Sequence, residues 1–503
     1  MSEVKSQVNR SDIQGLVAFG YVKLTLATYY LLRIRDADAA RAWCLKSLPV
    51  ATAEPAPQAP DTALQIGFTP RGLQAMGLSD QTIGAFSIEF NSGIAGDPSR
   101  SRRLGDIGAS DPASWWWGTP DKLPDMIAML FAKRDLDSWT RTVQDENWQR
   151  AFEVLYRLDT SNMGGNEPFG FHDGISQPAI DWKPEVSSTG DGADFSNISA
   201  AGEFVLGYQN EYGKYTGRPL IDPADDPERI LPAAGDDPSK KDLGRNGTYL
   251  VVRQLEQDVS AFWKYLDGAA GGDAANRDRL GAAMVGRTRA GDPLAAESKC
   301  PIAGIKEQSG QPRNSFTFDA DPDGTGCPFG AHIRRANPRN ADLFGHPRLF
   351  LSRLAGRLAI PRPGLHDDLM ASTRFHRILR RGREYGTLMT PEQAIAGGGD
   401  PAPRGLQFAC LNANIGRQFE FVQGAWLMSP KFNGLRNESD PLLGNREMSP
   451  NYPDGGVFSM PAADGPNQVL QALPRFITVR GGAYFFMPGL AALRYIASKG
   501  ART

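Results

Sequence analysis

Cysteine and histidine are both scarce in this chain of 503 residues, with four of the first and five of the second. Cys44, Cys300, Cys327 and Cys410 lie far apart, without a C-x-x-C spacing. That excludes a disulfide framework and points to a reduced, intracellular chain. The histidines are His172, His332, His346, His366 and His376, and any imidazole chemistry must draw on these five. Long apolar runs are missing too. The most apolar N-terminal stretch, Leu16 to Ile34, is broken by Lys23 and carries Thr25 and Thr28, and Met1 to Arg10 has no twin-arginine pair. It reads as neither a membrane span nor a signal segment, so the expected location is the cytoplasm, with no membrane partner. There is no basic block: 55 Lys and Arg stand against 57 Asp and Glu, for a net charge of −2. A general nucleic-acid surface is thereby excluded.

Common catalytic signatures are also absent. The chain has no H-E-x-x-H, no G-x-S-x-G, no G-x-G-x-x-G after a strand and no C-x-x-C-H. Gly207 to Lys214 has five residues where a phosphate loop has four, and Tyr215 replaces its Ser or Thr.

What is present is a globular composition, 41% apolar before 55 glycines are added, with 37 prolines. Glycine and proline exceed their usual combined share of about 12%, so extensive loops surround a core. Thr28–Ile34 reads as a strand, Asp36 caps a helix over Ala37–Leu48 that Pro49 stops, and Ala63–Phe68 is a second strand. Thr69 and Pro70 then start another helix that Gly77 ends. Met126–Phe131, a helix over Asp135–Val143 and a strand over Phe152–Leu158 complete a β-α-β, β-α-β order, the ferredoxin-like pattern. The second half opens near Gly202 with expected strands at Glu203–Tyr208 and Thr248–Leu255 and a helix over Asp258–Leu266. Later come a strand at Gly405–Cys410, a helix at Arg417–Phe421, a hairpin of Phe476–Val479 with Tyr484–Met487, and a helix over Leu490–Ser498. Glu211–Arg245, Gly268–Gln311, His366–Ser372 and Thr390–Arg404 read as surface loops. The class is α+β: a tail over 1–10, one domain over 11–200 and a second over 201–503.

Three segments carry chemistry. In Gly170-Phe171-His172-Asp173-Gly174 an Asp is pinned between glycines beside apolar residues. It is either a turn former bonding nearby amides or a general base shown to a pocket. In Gly330-Ala331-His332-Ile333-Arg334 small residues precede the histidine, which is either structural or approached by a large flat ligand. In His376 to Arg383 basic residues crowd around Ile378 and Leu379, which need burial and would draw a flanking Arg inward.

Together these segments resemble the dye-decolorising peroxidases, over about residues 11 to 496. The G-x-x-D-G motif is matched by Gly170–Gly174, the proximal-histidine segment by Gly330–Arg334 and the distal-arginine segment by Ile378–Gly382. Gly405-Leu406-Gln407-Phe408 matches the segment that covers the distal haem face. The opening Asp12–Gly15 and Gly202–Tyr208 are similar to the longer-chain branch. The resemblance implies two ferredoxin-like domains with packed antiparallel sheets and one haem b, iron protoporphyrin IX, per chain. It further implies His332 as iron ligand, Asp173 and Arg380 as catalytic pair, and Leu406 and Phe408 over the haem. Asp440 is the candidate carboxylate behind His332, Arg334 or Arg335 a candidate partner of the haem propionates, and Tyr385 a candidate surface oxidation site. Trp115, Trp116 and Trp117 read better as packing residues. Hydrogen peroxide and aromatic reductants would be the substrates, and a homo-oligomer is compatible with the sequence. A haem carrier or sensor, and another haem oxidation, are the competing readings. Glu384 departs from the family, which often has Pro there.

Overall fold

The computed structural model describes residues 7–45, 50–184, 197–295, 312–314, 316–318, 321–339, 373–398, 401–446 and 456–499. In the first half, aromatic and aliphatic side chains form β1 (Leu26–Ile34). The helix α1 (Ala37–Leu45) follows, its first turn held by Asp36 Oδ1, which accepts the Ala39 amide at 3.0 Å. The continuation expected to Leu48 lies outside the described residues. Then come β2 (Thr62–Phe68), β3 (Met126–Ala132), α2 (Leu136–Val143), α3 (Glu146–Ala151) and β4 (Phe152–Asp159). Trp43 of α1 joins the helical layer together, donating its indole N–H to Val143 O at 3.0 Å and meeting Trp148 and Phe152 edge-on.

The second half contributes β5 (Thr248–Gln257), α4 (Val259–Ala269), α5 (Ala274–Val285), α6 (His332–Ala336), β6 (Leu379–Arg380), β7 (Arg383–Tyr385), β8 (Gly405–Asn412), β9 (Ile477–Met487) and α7 (Leu490–Ser498). The nine strands form one sheet in the order β6-β8-β5-β9-β2-β3-β1-β4, with β7 also on β8. The two runs meet where Phe486 pairs with Phe68. Alternation along the strands sorts their side chains into two cores. One joins Leu31, Phe131, Leu250, Leu411 and Phe485; the other joins Leu64, Val251, Cys410 and Tyr484 to the helices. Both cores draw on both halves. The architecture is α+β, and among the described residues no helix is long and apolar enough to cross a membrane.

Several local expectations need correction. The hairpin expected between Val479 and Tyr484 is one continuous strand, in which Gly481 and Gly482 directly follow a register shift against β5 at Arg480. The indole of Trp117 lies against Gly481, where a Cβ would come within 2.5 Å of its ring. These glycines serve close approach rather than a turn. Glu203–Tyr208 is not a strand: Ala201–Glu203 is a 3₁₀ turn, and the buried Glu203 carboxylate accepts the Glu211 amide at 3.0 Å and Arg417 Nη2 at 2.7 Å. The presumed loop after Gly268 contains α5, whose first turn Asp273 caps at Asn276 N. The helix expected over Arg417–Phe421 is wound as π turns over Gly416–Glu420 and Val422–Leu427.

Gly481→Val should therefore lower stability by about 1–3 kcal/mol, the range for overpacking. Thermal unfolding reads this directly, and an unchanged midpoint would mean that Trp117 gives way freely.

Candidate active site

Loops and strand ends from both halves line a cavity of about 690 Å³. Asp173, His332, Arg380, Leu406 and Phe408, taken from four separate stretches of sequence, all face it. Apolar side chains such as Phe169, Ile378, Phe419 and Val479 share its walls with charged ones that include Arg253, Arg287, Arg377 and Arg475.

Asp173 comes from a loop that needs glycine. Gly170 and Gly174 have φ of +92° and +81°, values that side chains with a Cβ rarely adopt. Between them the chain is tied back: Asp173 N donates to Gly165 O at 2.9 Å and His172 N to Arg289 O at 3.0 Å. This directs the carboxylate at Arg380, whose Nη1 donates to Asp173 Oδ1 at 2.8 Å. Arg380 is itself placed by β6, which pairs with β8, and by Gln177 Oε1, which accepts its amide at 3.0 Å. Burial alone would raise the Asp173 pKa. The charge and hydrogen bond of Arg380, with the Gly174 amide, outweigh it and hold the carboxyl below its usual range.

His332 opens α6, just past Ala331. Its Nδ1 meets Asp440 Oδ2 at 2.9 Å, and Asp440 Oδ1 accepts the amides of Leu442 and Leu443 at 2.9 and 2.8 Å. Asp440 is fully buried, yet His332, then Arg335 and the Leu443 amide, keep its pKa below normal against that burial. The carboxylate fixes the tautomer with hydrogen on Nδ1, leaving Nε2 as the ring nitrogen available to a metal in the cavity. An imidazole so oriented on a cavity of this size fits a haem iron, the volume lying within the range of about 300–1,000 Å³ typical of cofactor sites. Leu406 and Phe408 alternate with the buried Gln407 along β8 and present their side chains to the same cavity.

Three expected residues are placed elsewhere. Arg334 is 2% exposed and is not among the cavity-lining side chains. Its guanidinium turns to Asp321 Oδ2 at 2.9 Å and Cys327 O at 2.6 Å, and stacks on Phe318 and Phe329. Arg335 is likewise spent on the carbonyls of Trp426 and Glu438. A helical turn points successive side chains in different directions, and only His332 and Ile333 of this pair of turns reach the cavity alongside Ala336. Tyr385 is not at the surface. It is 8% exposed, on β7, paired with Gly405. Trp115 and Trp117 are buried, and Trp117 Nε1 donates to Gln254 Oε1 at 2.8 Å, as packing residues do.

Gln177 and Arg287 were missed. Gln177 lies within the loop that carries Asp173, so the only sequence signal was its nearness to Gly174. Arg287 lines the cavity and donates to Ser176 Oγ at 2.9 Å; burial and the neighbouring Arg380 lower its pKa to about 10.

No protein-family model matches the chain. Over 516 residues it is 27% identical to Peroxidase 2 of Mycetinis scorodonius, covering 97% of this chain and 87% of that one. Over 356 residues it is 32% identical to the Multifunctional dye peroxidase DyP2 of Amycolatopsis sp., covering 67% and 62%. The crystal structure of a fungal DyP-type peroxidase from Auricularia auricula-judae superposes with a TM-score of 0.71 at 26% identity, covering 98% of this chain and 100% of that one.

The Asp173–Arg380 pair makes a pH statement. A carboxyl with a depressed pKa stabilises the fold above the unfolded-state value of about 4, and that contribution fades as pH falls through the lower folded value. Removing the cation in Arg380→Leu leaves burial opposed only by the Gly174 amide and the more distant His332, so the Asp173 pKa should rise. Infrared spectra of the variant should show a protonated carboxyl band at a pH where the parent protein has none; identical titration would count against the pairing.

Proposed function

We infer that this chain, which belongs to the dye-decolorising peroxidase family, is a haem peroxidase that reduces hydrogen peroxide and oxidises bulky aromatic, phenolic and dye molecules in one-electron steps. The supporting observation is a single cavity faced by both a carboxylate-anchored histidine and a carboxylate–arginine pair. A haem carrier would need the histidine alone, so the second pair favours turnover. Haem b, one per chain, is the proposed cofactor, and when bound it supplies the redox centre at which the peroxide O–O bond is split.

His332 would hold the iron through Nε2. Asp440, accepting the Nδ1 proton, strengthens the imidazole as a donor. Asp173, ionised, takes a proton from one peroxide oxygen and returns it to the other, which departs as water. The Arg380 guanidinium keeps Asp173 ionised and stabilises negative charge gathering on the oxygens. Leu406 and Phe408 limit the water beside that pair, which strengthens both interactions.

Purified protein should show a Soret band that shifts on adding peroxide. His332→Ala should fold and lose that band; an unchanged spectrum would assign the ligand to another histidine. Asp173→Asn should slow the reaction with peroxide by about 10²–10⁴, the usual contribution of a general acid–base group. A normal stopped-flow rate in that variant would remove Asp173 from the mechanism.

The pH profile follows from the same residue. Asp173 works as a base only when ionised, and its depressed pKa keeps it so well into acid. Reduction of the oxidised enzyme consumes protons and speeds up as pH falls. Turnover of an anthraquinone dye should peak at roughly pH 4–5, near the carboxyl range, and decline towards neutrality. A maximum at pH 7 or above, with the protein intact in acid, would mean that another group controls the base step.

A further inference from the structure

Glu167 stands six residues before Asp173 and has no part in the chemistry above, yet it lines the same cavity. Its side chain is used entirely as an acceptor. Oε1 takes the Phe171 amide at 3.0 Å, and Oε2 takes the Phe169 amide at 3.0 Å and Gln257 Nε2 at 2.7 Å. The backbone repeats the closure: Glu167 N donates to Phe171 O at 2.9 Å and Gly170 N to Glu167 O at 2.8 Å. Two alternate amides of the Asp173 loop thus converge on one carboxyl group, and Gln257 at the end of β5 ties that group to the sheet.

The loop needs such a tie. Gly164, Gly165, Gly170 and Gly174 all have positive φ, so this stretch has unusual conformational freedom to lose on folding. The Phe169 and Phe171 rings pack on Phe262 and Trp263 of α4, which fixes the loop's base. Asp173 lies two residues beyond that base.

We propose that Glu167 is a positioning residue for Asp173: its carboxyl group clamps the Phe169 and Phe171 amides, and through them sets where the Asp173 carboxylate stands in the cavity. This rests on the peroxidase reading given above for its kinetic consequence, though not for its structural one. Glutamine cannot replace it. An amide offers one acceptor oxygen and turns an NH₂ group on donors, so at least one of the three N–H groups loses its partner. Burial, opposed by those donors and helped by the nearby Asp173 charge, pushes the Glu167 carboxyl up to about 7. In acid the protonated carboxyl keeps a carbonyl oxygen and a hydroxyl oxygen that can each still accept, whereas the NH₂ of glutamine accepts nothing, so the defect of the variant is expected at acid pH too.

The experiment has two independent readouts on the full chain. Hydrogen–deuterium exchange of peptides spanning residues 165–175 should quicken at least tenfold in Glu167→Gln, with the sheet unchanged, whether or not haem is loaded. Unchanged exchange would overturn the clamp. In the haem-loaded protein, the rate with peroxide per bound haem should fall about tenfold to a hundredfold in Glu167→Gln, with haem content retained. The decisive comparison adds the change to Asp173→Asn. A residue that acts through Asp173 has nothing left to position, so the double variant should match Asp173→Asn within about twofold. Multiplied losses, or a parental rate in Glu167→Gln, would overturn the proposal. If Glu167→Gln does not fold, Glu167→Asp carries the test. One methylene shorter, it reaches one amide rather than both, and a parental rate there would equally overturn the clamp. A parent protein that binds haem without reacting with peroxide would instead fail the peroxidase reading, and the exchange result would stand apart from it.

Discussion

The hydrogen-bonded ion pair between Arg380 and Asp173 joins two residues 207 positions apart, one on a sheet strand and the other on a glycine-rich loop. Much of the surrounding structure reads as provision for that contact. β8 supplies the neighbour that places β6, Gln177 accepts the Arg380 amide, and the glycines turn the loop back on itself. Each ion needs the other. Without the cation the Asp173 carboxyl would hold its proton to higher pH, and without the carboxylate Arg380 would lose its charged partner in the cavity.

Two aspartates in one site are thus set to different tasks by their neighbours. Asp440 is sealed from solvent, accepts two backbone amides and meets an imidazole; its charge is spent on orienting His332. Asp173 meets a permanent cation and keeps a face on the cavity. Identical side chains with separate environments are how a fold divides structural from acid–base duties. On the proposed reading, only the second of them exchanges protons with substrate.

The strands of the first half were legible because their apolar runs are long, and Asp36 and Thr69 cap the helices after them as their positions suggest. Asp173, His332 and Arg380 were legible because each sits in a short motif whose small neighbours imply close approach. What escaped were features decided by distant partners. Gly481-Gly482 looks like a turn until Trp117 is known to lie against it. Arg334 looks like a cavity cation until Asp321, thirteen residues earlier, claims it. Tyr385 was expected at the surface only through the family resemblance, but pairing of β7 with β8 buries it. α5 was hidden by low amphipathicity, since Arg277 and a run of small residues occupy its buried side.

The long strand β9 has a consequence for how the molecule comes into being. It pairs with β5 on one side and β2 on the other, and Gln14 Nε2 donates to Pro488 O just beyond it at 3.0 Å. A chain emerging from the ribosome makes β1 to β4 first, yet β2 remains an open sheet edge until nearly everything else has been synthesised. An unpaired apolar edge invites pairing with the wrong chain. Contacts of such great sequence separation also close slowly. The nascent protein therefore carries an unfinished sheet until β9 arrives to join its two runs of strands.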